Sequence, residues 1–522
     1  METVKKWVYP DKPVQEPIKF DENGNPVVYR RRFHVLTVYC LGYFLWNWQD
    51  SRQVILASEY AEYFDTTTSF EPKQGELGVD FIKISASVYY IILYPIAGYL
   101  IDNYGIKLML VAALLQVVGC WWWYLSFTAY YSVLVARLWS AIGGTLNASA
   151  LLVMVNSWFP AKERPLAVGL GVLLANIGAG TSLIMGPLFA TDDRIVNIDL
   201  KSCKPIFSTT FNTSGSSECT DEAQDNFCCF TPTAIDFYNL ILAILASIIF
   251  IYAVFAFREL PPTPPSIIAV QKKGPGFLQA LKLMFSKGNY AQICLADFLS
   301  SGPPLVFFAT IDRILPASIA EYDFYAAAGG IALSFPAAAL FGRYIAKHKT
   351  YYSTTAFLYV AGFLFWAAAT ICYAVGTSGS EFAVLVLGVG ALVTFIVWSI
   401  GVYELKLEYT YSKEYNLGGA VVGVDRTIIN SASLVYVAAI PPERFDIDGR
   451  TKTMYIGLAS MAIGTLLVLT VRNKYRYLRQ EHENELESIA TESVPGKEQP
   501  LSFENLDETL EEIVDGSKTA SI

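Results

Sequence analysis

Between about residue 34 and residue 472 the chain passes through a succession of apolar stretches, each nearly free of charge. A helix rising ~1.5 Å per residue needs about 20 residues to cross a hydrocarbon layer ~30 Å thick, and the stretches have that length. In water they would have no polar face to present, so a soluble fold is excluded and an all-α membrane protein is predicted. Composition agrees: 16% of the 522 residues are charged and 53% hydrophobic, with a mean hydropathy of +0.37. A soluble domain carries roughly a quarter charged residues.

Windowed hydropathy predicts spans at 34–57, 80–101, 107–128, 131–155, 167–190 and 234–257, then at 290–312, 322–346, 352–375, 381–403, 417–440 and 453–472. These are twelve transmembrane helices in two sets of six. The expected organisation is a cytosolic N-terminal segment 1–33, a first six-helix half 34–257, a polar cytosolic linker 258–289 and a second half 290–472. An acidic, aromatic-poor tail 473–522 follows, which cannot bury enough apolar surface to order itself. No cleavable signal is visible before Arg30, Arg31 and Arg32, so the first span is expected to serve as an uncleaved insertion signal.

Loop charge sets the orientation. With the N-terminus in the cytosol, the cytosolic loops carry Lys107, Lys162, Arg164, Lys347, Lys349, Lys406 and Lys413, and the segment after the last span adds Arg472, Lys474, Arg476 and Arg479. This is the positive-inside bias, and an even span count puts both termini in the cytosol. The long outward loop, about 191–233, holds Cys203, Cys219, Cys228 and Cys229 and the sequon at Asn212. Disulfides and a glycan at Asn212 are expected there. The net charge of −9 comes mainly from the tail and identifies no partner.

One local motif is specific. GYLIDNYGIK, Gly98 to Lys107, fits the G-x-L-x-D-x-x-G-x-K loop between the second and third helices of major facilitator carriers. Gly98 and Gly105 permit close backbone packing and a sharp turn. Asp102 can pair with a cation or cap a neighbouring helix N-terminus. In the family this loop latches the two halves when the cytosolic gate is shut. LVARLWSAIGG around Arg137 resembles the family's fourth helix. GAGTSLIMGP in the fifth span, with Gly178, Gly180, Gly186 and Pro187, resembles its gating helix, and NSWFPAKERPLAVG resembles the connection between them.

The second half carries a narrower resemblance. ELKLEYTY, Glu404 to Tyr411, is similar to the E-x-x-x-E-x-T-Y stretch of the family named for the feline leukaemia virus subgroup C receptor. KTYYSTT, LPPTPPS and RRRFHVL also resemble it, over roughly residues 30–475 with gaps. The resemblance implies the major facilitator fold and Glu404 and Glu408 as gate residues. It also implies a cargo such as choline, ethanolamine, heme or a vitamin-like solute. The Trp, Gln and Tyr that cage choline in that family fall here at Asp50, Asn176 and Leu305, so the cage is not kept.

Other polar residues at membrane depth are cavity candidates by their cost, about 2.5–3.5 kcal/mol or more for a charge. The first span reads WNWQDSRQ, placing Trp46, Trp48, Gln49, Asp50 and Arg52 in one patch. Asp50 either binds a cationic solute beside Trp46 or Trp48, pairs with Arg52, or lies near the outer interface. Lys83, Arg137, Asp297, Asp425 and Arg426 complete the set. Asp425 and Arg426 are expected to pair with each other, and Asp297 and Asp425 are the candidates for ion coupling. The histidines His34, His348 and His482 lie away from the midplane, which disfavours a central His-ligated heme.

No metal-ligand spacing, nucleophile elbow or phosphate loop is present, so an enzyme is not expected and no cofactor or metal is implied. The reading is a monomeric carrier working by alternating access, in contact with the lipid bilayer and a small-molecule substrate and not with nucleic acid. The cargo is an organic cation or vitamin-like metabolite such as choline or ethanolamine. A heme exporter, or a receptor or scaffold that has lost transport, are the alternatives. The plasma membrane, or an endolysosomal membrane, is the expected location.

Overall fold

The computed structural model describes residues 27–55, 75–126, 130–160, 163–190, 234–265, 274–309, 320–348, 350–375, 380–410, 412, 415–439 and 447–471. The loop 191–233 with its cysteines and Asn212, the segment from 472 onward with His482, and the side chain of Lys83 lie outside that set. Among the described residues Cys40, Cys120, Cys294 and Cys372 are free thiols.

The first half contains α1 (Arg31–Ile55), α2 (Gly75–Tyr104), α3 (Leu108–Ser126), α4 (Tyr130–Ser149) continued by α5 (Leu151–Trp158), α6 (Arg164–Ala190) and α7 (Ala234–Ala256). A short linker helix, α8 (Phe277–Phe285), precedes the second half. That half contains α9 (Gly288–Ala309), α10 (Ala320–His348), α11 (Tyr351–Val375), α12 (Ser380–Thr410), α13 (Gly418–Ala439) and α14 (Ile447–Leu469). Six of these are long and apolar enough to cross a membrane by length and composition alone, α12 among them. Counting α4 and α5 as one span, the described long helices fall into the two sets of six that hydropathy predicted.

Packing repeats between the halves. In the first, α1 lies along α6, α2 against α4, and α3 between α4 and α7. In the second, α9 lies along α13, α10 against α12, and α11 between α12 and α14. Each half has its own apolar core, around Trp48, Trp123, Tyr238 and Leu242 in one and Phe307, Trp366, Val384 and Met461 in the other. Large apolar side chains such as Ile92, Leu125, Phe255, Leu364 and Leu466 point outward. A soluble protein rarely tolerates such a belt, whereas lipid accepts it.

The halves meet mainly through α2 with α13 and α6 with α10. The α2–α13 seam is made of small residues, because backbones approach closely only where side chains are absent. A Cβ on Gly98 would lie 3.0 Å from Ala420 Cα and 2.9 Å from the carbonyl carbon of Gly419. Just beyond, Gly105 ends α2 in the left-handed region at φ 81°, and its N–H donates to the Ile101 carbonyl at 2.8 Å. This is the glycine helix stop that residues with a Cβ adopt only with strain.

Gly98→Leu is therefore expected to wedge α2 from α13, costing about 1–3 kcal/mol by overpacking. A lower melting temperature of the purified protein, with faster thiol labelling of a cysteine placed at Ala420, checks this. An unchanged melting curve and labelling rate would show that the seam is not tight.

Candidate functional site

The latch is a helix cap delivered across the halves. Asp102, at the end of α2 and 7% exposed, accepts the Gly419 N–H at 2.7 Å and the Ala420 N–H at 2.8 Å. These are first-turn donors of α13 that have no partner in their own helix. Of the two roles open to Asp102 in sequence, the cap is the one formed. The linker backs it: the Gly274 N–H donates to the Asp102 carbonyl at 3.2 Å, and the Phe277 ring meets Tyr99 edge-on at 6.1 Å. Glu259, close to Lys107, has its carboxyl pushed up from the usual range by burial, with Lys107 opposing the shift.

Inside the second half lies a buried charge cluster. Lys406 has no exposed side-chain surface and bridges Asp297 of α9 and Asp425 of α13, each 3% exposed. The Tyr359 hydroxyl of α11 donates to Asp297, and its ring stacks on Trp398 at 4.0 Å. Two expectations are corrected here. Lys406 is not a loop charge: α12 runs on to Thr410 and carries it into the protein. Asp425 takes Lys406 and not Arg426, because adjacent residues on a helix point about 100° apart and cannot face each other.

Arg426 turns instead towards the junction of the halves. Its guanidinium lies 6.0 Å from the Tyr43 ring centroid of α1 and 5.7 Å from that of Tyr403 of α12, with Tyr94 of α2 and, beyond ion-pair distance, Asp425 also in its electrostatic surroundings. Tyr43 stacks parallel on Trp46 at 5.5 Å, and Trp46 meets Tyr90 edge-on at 5.3 Å. An aromatic face thus runs along α1 and α2.

This face leads to a small cleft in the first half of about 10 Å³, lined among others by Trp46, Gln49, Asp50, Arg52, Tyr90 and Arg137. Asp50 accepts Arg137 of α4 at 2.9 Å and the Tyr90 hydroxyl. The alternative pairing of Asp50 with Arg52 does not form, since residues two apart on a helix diverge. Arg52 donates to Asn239 at 2.8 Å and lies 3.9 Å over Trp123.

The remaining candidates, apart from Gln49 at the edge of that cleft, lie elsewhere. Trp48 belongs to the first-half core and donates to the Tyr238 hydroxyl at 2.7 Å. Gln49 donates to Cys120. Asn176 donates to its own helix at the Val172 carbonyl, 2.9 Å away, and Leu305 is partly exposed on α9. Glu404 and Glu408 are buried near the latch end of α12. Among the described residues no group of His, Cys, Asp and Glu side chains could hold a metal ion.

Known proteins match this geometry. Residues 54–193 match the sequence model of the Major Facilitator Superfamily. The fucose:proton symporter FucP of E. coli superposes with a TM-score of 0.59 at 12% identity, over 85% of this chain and 100% of that one. The chain has the major facilitator fold. The E. coli proton:xylose symporter XylE gives a TM-score of 0.60 at 12% identity, over 84% and 94%. The human organic anion transporter TETRAN gives 0.56 at 14%, over 84% and 99%. Sequence comparison with curated proteins finds no match. At such identities the likeness is one of fold. In this fold the Asp102 cap and Arg426 lie at the junction of the two halves, and the Lys406 cluster lies within the second half.

Sequence reasoning missed Lys406, Tyr359, Tyr90 and the tyrosines around Arg426. A usable signal existed for Lys406: Glu404, Lys406 and Glu408 follow an apolar run with no breaker before Thr410.

Lys406→Met should leave two buried carboxylates facing each other and cost about 3–5 kcal/mol, as removing one partner of a buried ion pair does. Thermal melting in detergent checks it. Adding Asp297→Asn and Asp425→Asn to Lys406→Met should recover most of the loss, and failure to recover would mean that packing, not charge, sets the cost.

Proposed function

We propose that this protein is a multi-pass membrane carrier that moves a small organic solute by alternating access. The observation that carries the reading is the Asp102 cap. It joins the halves at one end through hydrogen bonds that break without unfolding either half, as rocking of two bundles about a central site requires. With the loop after α2 in the cytosol and both termini on that side, as loop charge suggests, the state described is closed to the cytosol. The Asp297–Lys406–Asp425 cluster is the element we assign to ion coupling. We place the protein in the plasma membrane or an endolysosomal membrane, as a monomer.

The resemblance to the feline leukaemia virus subgroup C receptor family supports a cargo of the choline, ethanolamine or vitamin-like kind. A bare cation would have to compete with Arg137 for Asp50, so polar vitamin-like solutes fit better. Heme export, the second reading, gains no support from the described histidines: His34 contacts Tyr252 at 3.2 Å and His348 packs on Tyr344 at 4.6 Å at the end of α10.

Purified protein in liposomes should show saturable uptake of a labelled solute from a panel of choline, ethanolamine, pyridoxine and heme. Loss of the cap in Asp102→Ala should shift the balance between the two access states by about fivefold, the equivalent of ~1 kcal/mol, and change the flux. Absence of saturable flux for every solute would favour a receptor or scaffold on the same fold.

A further inference from the structure

The sign of the cargo's charge can be read from which buried charges already have partners. Asp50 is held by Arg137 and Tyr90, and Asp297 and Asp425 share Lys406. Asp102 is occupied by the backbone of α13, and Glu404 and Glu408 interact within the fold. Each of these described carboxylates at membrane depth is thus engaged. The cations are not all matched. Among the described residues Arg52 and Arg426 have no carboxylate at ion-pair distance, and the Nε of each is buried without a hydrogen-bond acceptor.

Arg52 is 2% exposed and settled on Asn239 and Trp123 inside the first half. Arg426 differs in three respects. It is partly exposed, and its neighbours Tyr43, Tyr94 and Tyr403 come from both halves. The buried hydroxyl of Tyr39 on the same face has no hydrogen-bond partner, and that of Tyr403 lies beside Asp425. A guanidinium presents N–H groups in a planar fork that fits a carboxylate or phosphate, and a tyrosine hydroxyl can donate to the same anion. A guanidinium held in low dielectric without a counter-ion is costly, and an incoming anion relieves that cost.

We propose that the transported solute bears a carboxylate or phosphate group and that Arg426 is the residue that binds it. This rests on the carrier reading and names the substrate class. Because Arg426 touches residues of both halves, an anion bound there also reports its presence to both. An aromatic or cationic remainder of the solute would lie along Tyr43 and Trp46.

The test uses matched pairs that differ in the anionic group: ethanolamine and phosphoethanolamine, choline and phosphocholine, pyridoxine and pyridoxine 5′-phosphate, nicotinamide and nicotinate. Each is added to the purified full-length protein during thermal melting, and its flux is measured in liposomes. The anionic member of at least one pair should raise the melting temperature, and its partner should not. Arg426→Gln should weaken that binding about ten- to hundredfold, as loss of a charge-assisted hydrogen bond does, while Arg426→Lys should keep part of it. The ligand-free melting curve of each variant shows whether it folds. Stabilisation or flux of only cationic or neutral members, undiminished in Arg426→Gln, overturns the inference and leaves the carrier reading standing. Stabilisation by none of the anionic members up to millimolar concentration also overturns it. An anionic member that binds through Arg426 without any flux would support Arg426 as the anion-binding residue while overturning the carrier reading and the claim that the anion is cargo.

Discussion

A lysine with no surface exposed to solvent has to find its counter-charge inside the protein. Lys406 finds two, on α9 and α13, and α12 carries it between them. Moving a charge into a low-dielectric interior is repaid only when geometry and hydrogen bonding are good, so the three helices are held in one register by that requirement. Tyr359 extends the cluster to α11. Four of the six helices of the second half thus share a single electrostatic centre. It sets two carboxyl groups against one ammonium.

That arrangement has consequences at the junction of the halves. With Asp425 committed to Lys406, the next residue of α13 projects in a different direction, and Arg426 is left facing the tyrosines of α1, α2 and α12. The same helix begins at the Asp102 cap. A single element, α13, therefore carries the latch at its N-terminus, a structural carboxylate one and a half turns later, and beside it a cation with no ion-pair partner among the described residues. The cap and Arg426 are thus carried by one helix, both at the junction of the halves. The linker is part of this region too, since Gly274 and Phe277 rest on the end of α2.

The first half solves its charge problem differently. Asp50 and Arg137 pair across α1 and α4 beside a small cleft, with Asp50 partly exposed. An ion pair that water reaches is weaker than a dry one and easier to rearrange. The half that holds the rigid cluster and the half that holds the accessible pair are thus chemically distinct, although their helices pack in the same order.

Much of this architecture follows from the sequence by itself, because the hydrocarbon layer leaves a chain few options. Span lengths, the division into six and six, and the glycine turn at Gly105 are local properties: a run of apolar residues, a count, a backbone angle that only glycine adopts freely. The role of Asp102 was narrowed to a cap or an ion pair for the same reason. What the sequence could not decide was which charges meet. Asp50 with Arg52 and Asp425 with Arg426 are neighbours along the chain, yet a helix turns such neighbours away from each other. The partners they do have, Arg137 and Lys406, come from other helices 87 and 19 positions distant. Only the packing of α12 against α9 and α13 moved Lys406 from an apparent loop into the core. That placement turned Arg426 to the tyrosines of both halves, so tertiary structure decided which groups each charge meets.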